Sequence, residues 1–385
     1  MKILLVAPEP FYTERGTPIA IKLLAETLCE FGNKVDLLTY HVGEDVNING
    51  LNLIRISKPP FCNTIPIGFS WKKILADIYL SFHMIGLLMR NKYDVIHAVE
   101  ESIFPAVCIN FLLKKKLVYD MDSSMSDQLI EKFQILSHLK KLLDHFEVWA
   151  AKHSTAVVAV CKYLAEKINH CNSAIKTFVL EDIAFEAPSN LQTEDLRKYC
   201  DNKSVLLLYV GNLEHYQGID LMLEAISRLN TRINFKLLLI GGAQEHINSY
   251  IKRTEYLKID EKVEFLGPRP LKNLAYYLKQ ADILLSPRLK GINTPMKIYS
   301  YLSSGVPVIA TKITSHTQIL NEEHALLVEA NPDDFALGLK KLMEDKSLRV
   351  NLGIKGKNLA EENYSLKSYK IKLKNIYSWI ETSSQ

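Results

Sequence analysis

The chain has 385 residues and a mass of 43.9 kDa, about twice an ordinary domain, so two domains are expected. With 48% hydrophobic and 23% charged residues and only 16 Gly and 14 Pro, it has ample apolar surface to bury, which excludes disordered and collagen-like classes. The 47 basic against 43 acidic residues leave a net charge of +4, too mild to call for a nucleic acid or another polyanionic partner.

In chain order, residues 2–7 form a continuous apolar run, as in a parallel strand buried on both faces, rather than the longer apolar core of a secretory signal. Apolar residues then recur at helical spacing over 18–31, and 35–40 and 51–56 read as strands. A long helix over Trp71–Arg90 precedes a short strand at 94–97. Its apolar stretch 74–89 contains Asp77 and His83 and is too short to cross a membrane. Strands at 116–120, 157–160 and 177–180 alternate with helices at 126–151 and 162–170. This is the β-α-β alternation of a doubly wound sheet.

After Glu186-Ala187-Pro188-Ser189 and a polar stretch, the pattern restarts. Strands are expected at Val205–Val210, 236–240, 263–266, Ile283–Ser286, 308–310 and 325–328, with helices at 218–229, 246–257, 272–279, 296–303 and Pro332–Glu344. The division is 1–185 for the first Rossmann-like domain and 186–365 for the second, with the last helix, 366–380, expected to pack back on the first through Tyr377 and Trp379. Open α/β sheets bind ligands at the carboxyl ends of their strands, so those ends should hold the site. Six cysteines at 29, 62, 108, 161, 171 and 200 never approach C-x-x-C spacing, which fits free thiols in a reducing, cytoplasmic compartment.

The segment running from Ser286-Pro287-Arg288 through Lys290, Asn293, Thr294, Pro295 and Met296 to Lys297 follows a strand and leads into a helix. Thr294 is expected as N-cap and Pro295 at the first helical position. Unsatisfied backbone N–H groups at such a terminus, with Arg288, Lys290 and Lys297 beside them, suit a diphosphate. An ordinary cap with solvated basic residues explains the same residues.

Followed by Ile298 to Ala310 with Gly305-Val306-Pro307, this segment resembles the donor region of retaining nucleotide-sugar glycosyltransferases of the GT-B fold, the family 4 group. Tyr209-Val210-Gly211-Asn212-Leu213, Gln217-Gly218, Leu239-Ile240-Gly241-Gly242 and Gln280 to Pro287 agree in order, so the resemblance covers essentially the whole chain. It implies two Rossmann-like domains and transfer of a hexosyl-type sugar from a nucleoside diphosphate sugar to a hydroxyl acceptor, with retention, in polysaccharide or glycolipid assembly. No cofactor or metal is expected beyond the donor itself. The chain departs from the family pattern at Asn212 and Gln217, which stand where Arg and Lys are usual, and at Ser300, which stands where a ribose-holding Glu is usual. Gly211, Gly241 and the Arg15-Gly16-Thr17 turn are the remaining donor-side positions the resemblance implies, Arg15 adding charge. A helix entry capped by Thr17 is the plainer reading of that turn.

On the acceptor side, Asp120 and Asp122 follow a strand at the position of the family's acceptor-side His or Asp, where a carboxylate could take the acceptor proton. Metal binding by the two aspartates and capping by Ser123 or Ser124 remain open. His97 and Glu101 also lie at a strand end, with Glu100 and Glu101 readable as helix-dipole partners. A non-catalytic nucleotide-sugar binder and a sugar-nucleotide epimerase stay as alternatives, whereas a nicotinamide dehydrogenase lacks its fingerprint, since the first turn reads Ala7-Pro8-Glu9-Pro10. The acceptor is expected to be a carbohydrate or a lipid-linked molecule. Trp71-Lys72-Lys73 and Lys114-Lys115-Lys116 hint at peripheral contact with the inner face of a membrane, against a merely solvated helix face.

Overall fold

The computed structural model describes residues 1–383 apart from 67, 69, 133–137, 186–193 and 202. The interdomain stretch that begins at Glu186 therefore lies outside the described residues. Two compact units are present, one made of Met1–Glu181 with Lys370–Gln385, the other of Asp182–Tyr369.

The first unit runs β1 (Lys2–Val6), α1 (Gly16–Glu30), β2 (Lys34–Thr39), β3 (Leu51–Arg55), α2 (Trp71–Arg90), β4 (Val95–Val99), α3 (Ile103–Leu113), β5 (Lys116–Met121), α4 (Met125–Lys132), α5 (Lys140–Lys152), β6 (Ala156–Ala159), α6 (Lys162–Cys171) and β7 (Thr177–Val179). Its strands form a parallel sheet in the order β3-β2-β1-β4-β5-β6-β7. The order reverses between β1 and β4, so the loops after these two strands flank the crevice where such sheets bind ligands. Residues such as Ile3 to Val6 and Val95 to Val99 are fully buried, which is why these strands read as unbroken apolar runs.

The second unit runs β8 (Val205–Val210), α7 (Ile219–Arg228), β9 (Phe235–Ile240), α8 (Gln244–Leu257), β10 (Val263–Gly267), α9 (Leu274–Gln280), β11 (Ile283–Ser286), α10 (Met296–Ser304), β12 (Val308–Thr311), α11 (Thr314–Thr317), β13 (Leu326–Val328), α12 (Pro332–Glu344) and α13 (Lys346–Asn363). Its parallel sheet has the order β10-β9-β8-β11-β12-β13, reversing between β8 and β11. Each face carries its own apolar core, one built on Leu207, Leu239 and Phe335, the other on Leu208, Leu284 and Tyr301.

The last helix, α14 (Leu366–Thr382), places its C-terminal part in the first unit. There the Tyr377 hydroxyl lies 2.8 Å from His97 Nδ1, Trp379 meets Phe178 edge-on at 5.6 Å, and Lys372 pairs with Glu181 at 2.7 Å.

Two expectations are corrected and one helix was not foreseen. The helix expected over 126–151 is two helices, α4 and α5, with 133–137 outside the described residues. Thr17 does not cap α1: the helix starts at Gly16 with Arg15 as N-cap and no side-chain capping bond. Helix α13 had no sequence signature because its buried face is Leu352, Gly353, Gly356 and Ala360. Small residues let it lie close to α10, where a side chain on Gly353 would run into the Gly305 carbonyl.

Candidate functional site

Arg15, Gly16 and Thr17 lie at the start of α1 in the first unit, whereas the other expected donor-side residues gather at and after the carboxyl ends of β8, β9 and β11 in the second. Gly211 ends β8, and Gly241 ends β9 with φ +110°, where any side chain would collide with the Gly211 carbonyl. The loop after β8 closes at Gly218, whose φ of +77° and contact with the Pro287 carbonyl leave no room for a Cβ. Asn212 is exposed, while Gln217 is buried. Each of the two neutral departures from the family pattern thus has a different setting.

Lys297, in the first turn of α10, supplies a cation at the buried one. Its Nζ donates to Gln217 Oε1 at 3.0 Å and lies 4.1 Å from the centre of the Tyr209 ring. Burial, then the charge of Arg288, pushes this ammonium well below the usual lysine range. Arg288 in turn organises the loop between β11 and α10. Its Nε donates to the Lys290 carbonyl at 2.6 Å, its Nη1 to the Asn293 carbonyl at 3.3 Å, and its guanidinium stacks 5.4 Å from the Tyr216 ring. The Lys290 side chain itself is exposed.

Helix α10 begins at Met296 with Pro295 as N-cap and no side-chain capping bond, which corrects the assignment of Thr294 as N-cap and Pro295 as first helical residue. Proline cannot donate, and the extended ψ of 130° at Pro295 turns Thr294 away from the helix. Thr294 Oγ1 is consequently buried with no hydrogen-bond partner among the described residues. Beneath the loop, His316 lies 2.9 Å from Ser286 Oγ through Nε2 and 2.8 Å from the Thr311 carbonyl through Nδ1, with its pKa pushed down to about 3 by burial. A neutral imidazole therefore braces β11 and β12 below the cations without adding charge.

In the first unit, His97 and Asp120 come together. His97 is fully buried within β4, not on an accessible rim, which corrects its placement at a strand end. Asp120 lies inside the neighbouring strand β5 rather than after it, and its Oδ2 is 3.0 Å from His97 Nε2. In its neutral form the imidazole carries its proton on Nε2, because ionised Asp120 only accepts, and Nδ1 then accepts from Tyr377. Burial, with the Asp120 charge, holds the Tyr377 hydroxyl well above its usual range, so it stays a donor. The second aspartate, Asp122, is half-buried beyond β5. Ser124 Oγ accepts from the Asp127 N–H at 3.2 Å and caps α4, while Ser123 donates to Glu100 at 2.8 Å.

Glu101 pairs with Lys73 at 2.6 Å and belongs to a cluster with Glu9, Asp77 and Glu100 after β1 and β4 and on α2. Glu100 and Glu101 occupy the first turn of a short 3-10 helix, Glu100–Ser102, that leads into α3, whose own N-cap is Ser102. Burial, then the Glu101 charge, raises Asp77 to about 7, and burial raises Glu9 and Glu100 as well. Burial alone would lower Lys73, but the surrounding Glu101, Glu100 and Glu9 carboxylates hold it above its usual range. Among the described residues no group of three or more His, Cys, Asp or Glu is arranged to hold a metal ion.

Residues 15–179 match the family model "Glycosyltransferase Family 4" and residues 193–359 match "Glycosyl transferases group 1". The two matches fall one in each unit. An uncharacterised glycosyltransferase of Methanocaldococcus jannaschii is 26% identical over 398 residues, covering 98% of each chain. Among solved structures, a sucrose-phosphate synthase of Thermosynechococcus elongatus superposes with a TM-score of 0.80 at 18% identity over 100% of both chains. The chain carries both domains of a GT-B glycosyltransferase. The Anabaena HepE protein, solved in complex with UDP and glucose, shares the fold with a TM-score of 0.74 at 14% identity, covering 98% of this chain and 99% of that one.

In this glycosyltransferase Ser300 is buried, and its hydroxyl accepts from the Phe185 N–H at 3.2 Å. It pins the start of the second unit to α10. Ser300→Glu should therefore cost stability, about 1–3 kcal/mol, by burying a carboxylate where a small hydroxyl satisfies a backbone donor. Thermal unfolding checks this, with Ser300→Ala as the smaller comparison. Tyr377, Lys73 and Gln217's partner Lys297 acquire their settings only from the fold. For Tyr377 the signal in sequence was its place on the apolar face of the last helix. Lys73 and Asp77, four apart on α2, were the hint for the carboxylate cluster.

Proposed function

We propose that the glycosyltransferase uses a nucleoside diphosphate sugar and transfers its sugar, with retention, to a hydroxyl of a carbohydrate or lipid-linked acceptor in polysaccharide or glycolipid assembly. The observation that carries the donor reading is the setting of Lys297: a half-buried side chain whose ammonium lies 3.0 Å from the neutral Gln217 Oε1 and over the Tyr209 ring, disfavoured by desolvation and by the Arg288 charge, with no carboxylate acting on it among the described residues. Such a site is short of negative charge, and a diphosphate supplies it. The first turn of α10 offers backbone N–H groups and Thr294 a buried hydroxyl toward the same anion. UDP in the related Anabaena structure agrees with this ligand class.

In this reading Lys297 and Arg288 replace the cations absent at 212 and 217. As the anomeric bond breaks, negative charge grows on the leaving diphosphate, and fixed cations stabilise it more than they stabilise the ground state. Asp120 would orient the acceptor hydroxyl, with His97 and Tyr377 as positioning residues behind it. No metal is required, because side chains of this chain meet the charge.

The test is a panel of nucleoside diphosphate sugars incubated with and without simple glycoside or lipid-phosphate acceptors, with product configuration read by nuclear magnetic resonance. Transfer with the donor's anomeric configuration kept is the expected result. Binding without turnover of any donor would leave a nucleotide-sugar-binding protein, and isomerised donor without acceptor an epimerase.

A further inference from the structure

Helix α2 is apolar on both sides. Ala76, Leu80, Met84 and Leu88 are buried against the first unit's sheet, as expected of a packed helix. Its outer face should then be polar, yet Trp71, Ile74, Ile78, Phe82 and Met89 are 59, 43, 46, 70 and 70% exposed. At about 100° per residue these five fall in one stripe, with Leu75 and Ile85 between them, over roughly 27 Å of helix. Single exposed apolar residues need no explanation, whereas a continuous stripe of this length marks an interaction surface. Helix α3 packs beside α2 in the same layer and adds exposed Phe111 and Leu112.

The exposed charge on these two helices has one sign. Helices α2 and α3 carry a single carboxylate, Asp77, which turns inward to the Tyr40 hydroxyl. The cations stay at the border: Lys72 beside the Trp71 ring, Arg90 and Lys92 at the far end of α2, and Lys114 after α3. Next to Phe111 a groove is lined by Lys114, Lys115, Lys152, His153 and Trp379. Lys116, by contrast, is tied down, donating to the Glu381 carbonyl at 2.7 Å.

We propose that the outer face of α2 and the end of α3 form a docking surface for an anionic lipid bilayer, with α2 lying in the interfacial plane. An apolar stripe begun by a tryptophan and flanked by Lys72, Arg90 and Lys114 complements acyl chains beneath acidic headgroups. No helix of the described residues is long and apolar enough to cross a membrane, and the inner face of α2 is already committed to the core. This surface goes beyond the donor reading, and its test needs no sugar nucleotide.

The experiment is co-sedimentation of the full chain with vesicles of phosphatidylcholine alone and of an equal mixture with phosphatidylglycerol. Binding is expected to the mixed vesicles and to fall steeply with salt. Ile78→Glu with Phe82→Glu should lower it about a hundredfold or more by removing the apolar contact, and Lys72→Glu or Arg90→Glu about fivefold each. Circular dichroism shows whether the variants fold. Should the double variant misfold, acyl-chain-brominated lipid is expected to quench the unaltered protein's fluorescence, with the quenching reduced in Trp71→Phe. Absence of binding to mixed vesicles would overturn the proposal, as would equal binding to both vesicle types. A dimer in lipid-free solution that Ile78→Glu dissociates would overturn it too, assigning the face to a second copy of the chain.

Discussion

Lys297→Ala should weaken UDP binding about 10–150-fold, the equivalent of about 1.5–3 kcal/mol for a lost charge-assisted contact to phosphate. The same substitution should leave the ligand-free protein as stable as before or slightly more so. The reason lies in the surroundings of this ammonium: burial and Arg288 both disfavour its charge, and its partner Gln217 is neutral. A lysine kept for folding would behave in the opposite way, lowering the melting temperature of the free protein and sparing affinity. Comparing the melting temperature with and without UDP separates the two, since a ligand stabilises only what binds it. Lys297→Arg should not restore full affinity, because a longer, planar guanidinium cannot take the place of a compact ammonium held 3.0 Å from Gln217 Oε1.

Lys167→Met should cost about 3–5 kcal/mol and lower the melting temperature of the first unit by roughly 6–20 °C. Lys167 reaches Asp144 at 2.8 Å, Glu147 at 3.1 Å and Asp127 at 3.2 Å. The Glu147 side chain is fully buried and also accepts from the Ser126 N–H at 3.0 Å. Removing the cation leaves that carboxylate uncompensated in the core, whereas Glu147→Gln together with Lys167→Met should recover much of the loss. The pH dependence has a definite sign. Although burial pushes the other way, hydrogen bonds and charges from Lys140 and Lys167 hold Asp127 and Asp144 below the usual carboxylate range. Their contribution is therefore complete above the unfolded value near pH 4 and is lost as the pH falls through the lowered values. Lys167 is held above its usual range despite burial, so its share is complete below the unfolded value of about 10.4 and fades only as the pH rises further. Chemical unfolding followed across pH checks both limbs.

The strands were legible because both sheets are parallel and covered on both faces, so Val205–Val210 and Ile283–Ser286 stand out as apolar runs. Helix α2 was legible to the residue, yet the same apolar content hid which of its faces is buried. Helix α13 was not, since glycines at 353 and 356 do its packing. At the donor side, sequence order brought Arg288, Thr294 and Lys297 into one segment, but not the contact of Lys297 with Gln217, 80 positions earlier. The pairing of His97 with Tyr377 spans 280 positions and depends on the last helix returning to the first unit. Capping was misread at Thr294 and Thr17 for one reason: a hydroxyl near a helix start caps only if its backbone is extended at the right residue, and a neighbouring proline or arginine took that place.

Whether a nucleoside diphosphate completes the cationic site around Lys297 is read by calorimetric titration with UDP in buffers of differing ionisation enthalpy, repeated from neutral to alkaline pH. Burial and the Arg288 charge lower the Lys297 pKa in the free protein and an arriving diphosphate raises it, so wherever the pH lies between the two values binding takes up protons from the buffer. An apparent enthalpy that changes with the buffer is expected, and the dependence should disappear in Lys297→Met. Tight UDP binding with no proton uptake and with undiminished affinity in Lys297→Met would contradict that role of Lys297.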